Sequence, residues 1–455
     1  MHAAAQPGDW WGNDFNPSQT AFARKLARAS GAPVHLFDDA FSAFAARTDL
    51  PQFDFIGLHG IWSWVSDENR RVIVDFIRDR LKVGGVLYVS YNTLPGWSTG
   101  MPLQHLITEH ARSQSGPGIA LPQRIDAAIG FAQKIFDMNP LGIRSNPQLT
   151  ERLARIKEQD RHYLAHEYFN RDWKPMYFRE MADWLAPAKL SFAASANVLD
   201  NYRMLHHAPD VIRAVDALGD PVLRETVLDF CVNQQFRKDL WVRGPQPLQA
   251  PEADRLMREQ HVMLVHNARQ VKMTVKGAVG EMTLDEGVYR PVIDQLADHR
   301  PRRVADLERE LVGKSDWRRL REVLTVLIGT GAVMPVQGPD TAARQRPMTS
   351  RLNDAVIALS ASREDQQHLA SPVSGGGVGV SRVEQFFLAG VAAGHTTAAA
   401  LADFAWAAYA ANGEKLVKDG KRLERAEDNI AMLAGEAQNF IATRLPVLRG
   451  LGIAA

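Results

Sequence analysis

The sequence predicts an α/β fold whose main element is a largely parallel sheet. Segments with the strand pattern begin at Asp9, Pro33, Phe53 and Val86, and two amphipathic stretches with the helical pattern lie between them. Strands that alternate with helices of roughly 10–15 residues are typical of βαβ units. Sheets built from such units bind ligands beyond the carboxyl ends of their strands. Those strand ends are therefore the first places to look for functional residues.

The first two strands are joined by a helix with clear end signals. Residues 9–15 form the first strand, and Asn16 follows as a good N-cap residue, with Pro17 suited to the first helical turn. The helix is expected to stop at Gly31, and residues 33–37 form the second strand. The strands end beside three carboxylates: Asp14, Asp38 and Asp39.

Two further strands and a helix complete this first part of the chain. Residues 53–59 and 86–90 have the strand pattern, and an amphipathic helix is predicted over residues 69–81. The polar and aromatic segments 59–65 and 90–97 follow these strands. We expect both segments to lie at the ligand-binding edge of the sheet.

The start of the chain departs from the usual order of such a fold. A doubly wound sheet normally begins with a strand, a Gly-rich turn and a helix. Here residues 2–5 have the pattern of a helix end and lead directly into the strand at Trp10. We therefore expect the first βα unit to be absent, through a late start-codon assignment rather than a genuinely truncated protein.

The rest of the chain predicts three further regions. A helical insertion over about residues 100–185, with strands at 189–196 and 236–243, completes a first domain of residues 1–244. Residues 245–337 form a regulatory region in which three helices and a Gly-bounded strand have the order of a winged-helix-like domain. Beyond a polar linker at 337–350, residues 351–455 form an α-helical C-terminal domain. The run Gly375–Gly379 lacks the Lys-Ser/Thr of a phosphate-binding loop and is expected to join two helices.

Composition narrows the class of protein. Of 455 residues, 53 are Lys or Arg and 52 are Asp or Glu, so the charge balance gives no reason to expect nucleic acid or an anionic membrane as a partner. The single cysteine, Cys231, excludes an intrachain disulfide and a Cys-rich zinc site, and no metal is expected. No segment reaches the ~20 apolar residues that span a bilayer. We expect a cytoplasmic protein.

Three sequence blocks carry a resemblance to a known family. They are residues 11–19 (WGNDFNPSQ), 53–65 (FDFIGLHGIWSWV) and 90–97 (SYNTLPGW), with further matches at 166–169, 189–199 and 236–244. The chain resembles bacterial class I S-adenosylmethionine-dependent methyltransferases with a methyltransferase regulatory domain. That group includes protein-lysine methyltransferases of outer-membrane proteins. The resemblance implies a Rossmann-like sheet of seven strands and S-adenosyl-L-methionine as cofactor, although the acidic Gly-rich cofactor loop is absent here.

The resemblance also implies which residues hold the cofactor. Asp14 corresponds to the carboxylate that accepts hydrogen bonds from both ribose hydroxyls, although it could instead only cap the following helix. Asp39, or else Asp38, corresponds to the residue that contacts the adenine amino group. His59 and Gly60 occupy the loop that faces the transferred methyl group in this fold class.

A second set of residues is expected to form the binding site of the methyl acceptor. Trp62 and Trp64 enclose the sulfonium or a substrate ammonium, or pack in the core. Tyr91 and Asn92 line the substrate channel. Deprotonating a lysine at pH 7 costs ~4.6 kcal/mol, so the site must orient the amine and accept its proton. The candidates for that task are His59, Tyr91, His166, Glu167 and Tyr168.

Two classes of function remain open at this point. The first is methyl transfer to protein lysine side chains, and the second is a catalytically inactive methyltransferase-like protein that acts as a binding or regulatory module. The expected partner is a protein substrate, an outer-membrane protein before export being the example that the resemblance offers. No nucleic-acid or membrane partner is expected, and a homodimer is left open.

Overall fold

The computed structural model describes residues 1–113 and 118–454. The chain divides into two compact units. The first unit contains Met1–Ala40, Leu248–Val275 and Glu281–Ala455, and the second contains Phe41–Pro247 and Lys276–Gly280. The first forty residues thus belong with the C-terminal part of the chain, whereas the sequence predicted a domain of residues 1–244. Among the described residues, every helix is too short or too polar to cross a membrane.

The chain begins with a small parallel sheet. Helix α1 (His2–Ala5) is followed by β1 (Trp10–Asn13), α2 (Pro17–Ser30) and β2 (Val34–Phe37). The Asn16 side chain accepts a hydrogen bond from Ser18 N, and Gly31 ends α2 in the left-handed conformation at φ 69°. Strands β1 and β2 pair in parallel along their whole length. The predicted strands and the helix between them are confirmed.

The second unit is built on a mixed sheet. Its elements in chain order are α3 (Phe41–Ala45), β3 (Phe53–Leu58), α4 (Asp67–Arg80), β4 (Leu81–Asn92), α5 (Met101–Ser113), α6 (Leu121–Asp137), α7 (Leu141–Arg144), α8 (Gln148–Glu158), α9 (Arg161–Glu167), α10 (Phe178–Leu185), β5 (Leu190–Ser195), α11 (Pro209–Asp216), α12 (Pro221–Val232) and β6 (Phe236–Arg243). The strand order is β3–β4–β6–β5. Strand β3 pairs with β4 in parallel, and β6 is antiparallel to both β4 and β5.

Strands β1 to β6 therefore form a two-stranded and a four-stranded sheet where the resemblance implied one sheet of seven strands. In the second unit, the core lies on one face of β4 and β6. Leu87, Val89 and Trp241 are buried there, and Phe178 of α10 stacks on Trp241 with ring centroids 5.5 Å apart. Helices α5, α6, α8 and α9 form a separate apolar cluster, as predicted for the helical insertion.

The chain then returns to the first unit. Its remaining elements are α13 (Ala250–Glu259), β7 (His261–Leu264), β8 (Thr274–Gly277), β9 (Gly280–Thr283), α14 (Glu286–Gln295), β10 (Arg302–Arg303), α15 (Val304–Glu310), α16 (Trp317–Gly329), β11 (Val333–Val336), α17 (Pro339–Ser360), β12 (His368–Ser371), β13 (Gly376–Gly379), α18 (Arg382–Ala392), α19 (Ala398–Ala411), β14 (Val417–Lys418), β15 (Lys421–Arg422), α20 (Ala426–Asn439) and α21 (Leu445–Gly450). Three antiparallel strands, in the order β10–β7–β11, accompany helices α14 to α16. The winged-helix-like identity of this region stays a prediction.

Two expectations for the C-terminal part were wrong. The Gly-rich run does not join two helices, because it forms the turn and second strand of the β12–β13 hairpin, with Gly375 at φ 73°. The residues expected to form a polar linker lie largely in α17, a 22-residue helix. Gln345, Thr349 and Asn353 are buried on that helix, so its inward face is too polar to be recognised from hydrophobic spacing.

Candidate functional site

The carboxylates of the first unit lie where its two parallel strands end. Asn13 connects these ends, because its side-chain amide donates to Asp39 O at 3.0 Å and accepts from Asp39 N at 3.1 Å. Asp14 is exposed, and its Oδ1 accepts from Asn16 N at 2.8 Å. Asp38 is engaged by Arg24 at 3.2 Å. The structure thus brings Asp14 and Asp39 to one sheet edge, joined through Asn13, and Asp38 faces α2.

In the second unit, a polar corner lies at the ends of β3 and β4. His59 is exposed, and its Nδ1 lies 3.0 Å from the Tyr88 hydroxyl, with the two rings stacked. Gly60 adopts φ 66°, and its N–H donates to Ser90 Oγ at 3.0 Å. A Cβ at Gly60 would meet no atom within 4 Å, so the backbone here faces open space. Partial burial raises the pKa of Tyr88, which keeps its hydroxyl protonated beside the imidazole.

The segment after β4 is held by the loop that follows β3. Asn92 N donates to Ser63 Oγ at 2.8 Å, and Asn92 O accepts from Met176 N at 3.1 Å. The Asn92 side chain is buried, and its Nδ2 has no hydrogen-bond partner. Trp64 follows Ser63 in the sequence and is buried. The centroid of its ring lies 5.3 Å from that of His166. The loop that follows β3 thus contacts Asn92 through Ser63 and His166 through Trp64.

Trp62 lies in the apolar core. It is fully buried, and its ring contacts Trp184 edge-on at 6.0 Å. Arg70, which is also buried, donates from Nε to Trp62 O at 3.0 Å and pairs with Asp67. Of the two roles considered for Trp62, the geometry favours core packing over contact with a ligand.

Tyr91 points away from His59. Side chains alternate along a strand, and Tyr88 and Ser90 face the His59 corner, so Tyr91 projects from the other face of β4. Its hydroxyl donates to Asp239 Oδ2 at 2.7 Å, and both side chains are fully buried. Burial and the neighbouring Asp239 carboxylate raise the pKa of Tyr91 well above its usual value. The structure therefore does not bring Tyr91 and His59 together.

The end of α9 holds the remaining predicted residues. His166 is exposed, and its Nδ1 lies 3.1 Å from Glu167 Oε1. Tyr168 is buried against Trp97, with ring centroids 5.8 Å apart. Trp97 in turn lies under the Arg152 guanidinium at 3.8 Å. Tyr168 thus packs in the interior against Trp97, and His166 is exposed to solvent beside Trp64.

Sequence reasoning missed Tyr88 and Ser90. Both hold the loop after β3 in place, one through His59 and the other through Gly60. The alternation of β4 contained the signal, because residues two apart on a strand share a face. The buried charges of Arg237 and Asp239 were also unassigned, although the segment 236–244 was part of the family resemblance.

Comparisons with known proteins agree with this architecture. A family model described as a predicted methyltransferase regulatory domain matches residues 160–243. The uncharacterized protein sll1526 of Synechocystis is 37% identical over 446 residues, which cover 98% of this chain and 86% of that protein. The uncharacterized protein RP789 of Rickettsia prowazekii is 27% identical over 251 residues, or 52% of this chain and 42% of the relative.

A solved structure has the same fold. PKMT2 from Rickettsia typhi, determined in complex with AdoHcy, superimposes with a TM-score of 0.63. The match covers 95% of this chain and 88% of PKMT2, at 16% sequence identity. The likeness therefore extends over both compact units and includes the strands that carry the candidate site.

Proposed function

Because the chain belongs to the family of class I methyltransferases that carry a methyltransferase regulatory domain, we propose that it binds S-adenosyl-L-methionine and transfers the methyl group to lysine side chains of a protein. The AdoHcy complex of PKMT2, a protein of the same fold, supports the cofactor. An outer-membrane protein before export is the proposed acceptor, and the cytoplasm is the proposed place of reaction.

The residues at the strand ends of the first unit fit an adenosine group. A carboxylate is the natural acceptor for two neighbouring hydroxyls, and the exposed Asp14 carboxylate stands at the end of β1. Asp39 follows β2 at the same edge, held by Asn13, and we assign it to the adenine amino group in preference to Asp38, which Arg24 engages.

The polar corner of the second unit fits methyl transfer to an amine, and this observation carries the proposal. The bound cofactor supplies an electrophilic methyl group on a sulfonium. Tyr88 engages His59 at Nδ1, which leaves Nε2 of the exposed imidazole to accept the proton of the attacking amine. Gly60 lacks a side chain and lies beside open space, so a reacting group can approach the backbone there.

The loop after β4 supplies the proposed acceptor site. Asn92 has an unpartnered Nδ2, and Trp64 and His166 lie together beside the same loop. We propose that Asn92 and Trp64 orient the amine and that His166 with Glu167 lines the approach to it. Tyr91 and Tyr168 are proposed as positioning residues, because both are buried, Tyr91 bonded to Asp239 and Tyr168 packed on Trp97.

Calorimetric titration with S-adenosyl-L-methionine tests the cofactor assignment. Binding that Asp14→Ala weakens at least tenfold, through loss of charge-assisted hydrogen bonds, is the expected result. Asp54→Ala, at an exposed carboxylate on β3, is the matched control. Absence of binding to the unsubstituted chain would overturn the proposal.

The acceptor is tested by methyl transfer into a lysate of the source cells. Tritium from methyl-labelled cofactor is expected in protein that, after hydrolysis, yields methylated lysine. Label that appears in nucleic acid, lipid or small molecules, with none in protein, would show that the acceptor class is wrong while leaving the cofactor assignment intact.

A further inference from the structure

A polar cavity lies beside β5 and β6 in the second unit, on the face of the sheet that Tyr91 occupies. Its volume is about 380 Å³, which is within the range of small-molecule sites. The carboxyl and guanidinium groups in its lining belong to Asp200, Glu225, Asp229, Asp239, Arg203 and Arg237. Carboxylates thus outnumber guanidinium groups by four to two, so the lining favours a cationic occupant.

All three nitrogen atoms of the Arg237 guanidinium already donate hydrogen bonds to carboxylates. Its Nε donates to both oxygens of Asp239 at 3.0 and 2.9 Å, its Nη1 to Asp229 Oδ1 at 2.6 Å and its Nη2 to Glu225 at 3.0 Å. Arg203 is paired with Asp216, which is outside the cavity lining. An anionic ligand would therefore have to displace existing partners, whereas a cation would not.

Two buried polar atoms in the lining lack partners. Asp229 Oδ2 and His207 Nδ1 have no hydrogen-bond partner, and the two residues are only 4% and 7% exposed. An unsatisfied buried carboxylate oxygen is costly, and in native proteins such an atom calls for an explanation. An N–H donor with positive charge would satisfy Asp229 Oδ2 and offset the excess negative charge.

A break in the strand pairing lies in the wall of the cavity. The register of β5 against β6 shifts between Phe192 and Ala194, and Ala193 lies in the lining. Such bulges commonly occur next to functional sites. Ala193 has a small, exposed side chain and shares the lining with Asp229.

We propose that this cavity binds a small organic ammonium ion, whose N–H groups donate to Asp229 Oδ2. An ammonium carries three donors and no acceptor, which matches the unsatisfied carboxylate oxygen. The inference does not depend on methyl transfer, since the cavity lining contains none of the residues assigned to that reaction.

The ionisation of Asp229 gives the site a pH dependence. Burial raises the pKa of Asp229 to about 7, against the opposing effect of Arg237. The groups that interact with it are Glu225 on its own helix, Arg237 and Asp239 on β6 and Tyr91 on β4. Four further ionisable groups share the lining: Asp200, Arg203, His206 and His207. A cation prefers the ionised carboxylate, so the affinity for an ammonium ion should rise as the pH increases through about 7.

Calorimetric titration of the full chain with n-pentylammonium chloride and with 1-pentanol tests the proposal. The two probes have similar chain length, and only the first carries charge and three N–H donors. The amine is expected to bind at least tenfold more tightly than the alcohol, since hydrogen bonds to charged groups are the stronger class. Equal affinity for the two probes would overturn the proposal.

Variants locate the binding. Asp229→Asn should weaken amine binding at least tenfold, and Asp210→Asn, at an exposed residue of α11, should leave it unchanged. Ala193→Phe tests the cavity without touching the buried charges, which covers the case in which Asp229→Asn fails to fold. Amine binding that persists in Ala193→Phe would show that the cavity is not the site.

Discussion

The guanidinium of Arg237 is enclosed by three carboxylates in the second unit, and the ring of Phe178 covers it with its centroid 4.5 Å away. Taking these charges out of water is costly, and their mutual attraction offsets the cost only while every partner is present. The group therefore fixes how α12 and β6 meet, because any other arrangement would leave a buried charge unpaired.

Replacing Arg237 by methionine should destabilise the fold strongly. Arg237→Met leaves Asp239 and Asp229 buried without their cation, and breaking such a pair typically costs about 3–5 kcal/mol. Urea unfolding followed by tryptophan fluorescence measures the change. Arg255→Met, in an exposed ion-pair group on α13, is the matched control and should leave the unfolding midpoint unchanged. Similar midpoints for the two variants would contradict this account.

His59 should matter for turnover if it accepts the proton of the amine. His59→Gln keeps a polar side chain but cannot take up a proton, so methyl transfer should fall by about 10²–10⁴. Initial rates with labelled cofactor measure the loss. His105→Gln changes an exposed histidine of α5 and should retain full activity. If His59→Gln were as active as that control, the proton acceptor would have to be sought elsewhere.

The sequence predicted where the site residues lie along the chain better than it predicted which way their side chains point. His59, Gly60 and Asn92 lie at strand ends, as expected, because a strand end is a local feature. The direction of Tyr91 depends on which residues of β4 face the loop after β3, and that alternation is fixed by pairing with β3 and β6. Tyr88 and Ser90 consequently hold the corner, whereas Tyr91 joins the buried charges.

At the scale of elements, the loop after β4 is held by a close backbone approach. Gly96 N donates to Gln234 O at 3.0 Å, and a Cβ at Gly96 would lie 2.4 Å from that same oxygen. The glycine therefore allows the loop to pack directly on the segment before β6. Such contacts explain how strands distant in sequence fix one loop of the candidate site.

Two glycine substitutions should have opposite effects. Gly96→Ala forces the loop away from Gln234 and should cost about 1–3 kcal/mol, as overpacking does. Gly130→Ala, at an exposed position of α6 with no atom within 4 Å of the new Cβ, should stabilise the protein by about 0.5–1 kcal/mol. Urea unfolding measures both changes, and a stabilising Gly96→Ala would refute the close approach.

The elements with local end signals were the easiest to predict. Asn16 and Gly31 bound α2 where expected, and β6 coincides with its predicted residues. Helix α17 was missed because it contains Pro347 internally and buries polar residues. The β12–β13 hairpin was missed because its glycines carry no hydrophobic alternation. In both cases the deciding partners lie far away in sequence.

At the scale of the whole chain, residues from both ends build the first unit. Gln337 Nε2 donates to Ala5 O at 2.8 Å, and Arg351 Nε donates to Ser30 O at 3.0 Å. The Arg363 guanidinium lies 4.8 Å from the ring of Phe22. Helix α17 and residues just before and after it thus hold α1 and α2, which no pattern in the first forty residues could have indicated. Contacts of such long sequence separation are costly to close, so this segment should be stabilised late in folding.

Arg351→Ala should loosen the first forty residues selectively. The variant removes a charged donor from Ser30 O at the end of α2, and such a hydrogen bond contributes about 1.5–3 kcal/mol. Hydrogen exchange followed by mass spectrometry should therefore become about 10- to 100-fold faster in β1, α2 and β2, while peptides of β6 stay unchanged. Arg344→Ala, on the same helix but bonded only to nearby Thr341, is the matched control. Equal acceleration in both variants would mean that α17 is destabilised as a whole. Acceleration confined to Arg351→Ala would show that α17 holds the strands that carry Asp14 and Asp39.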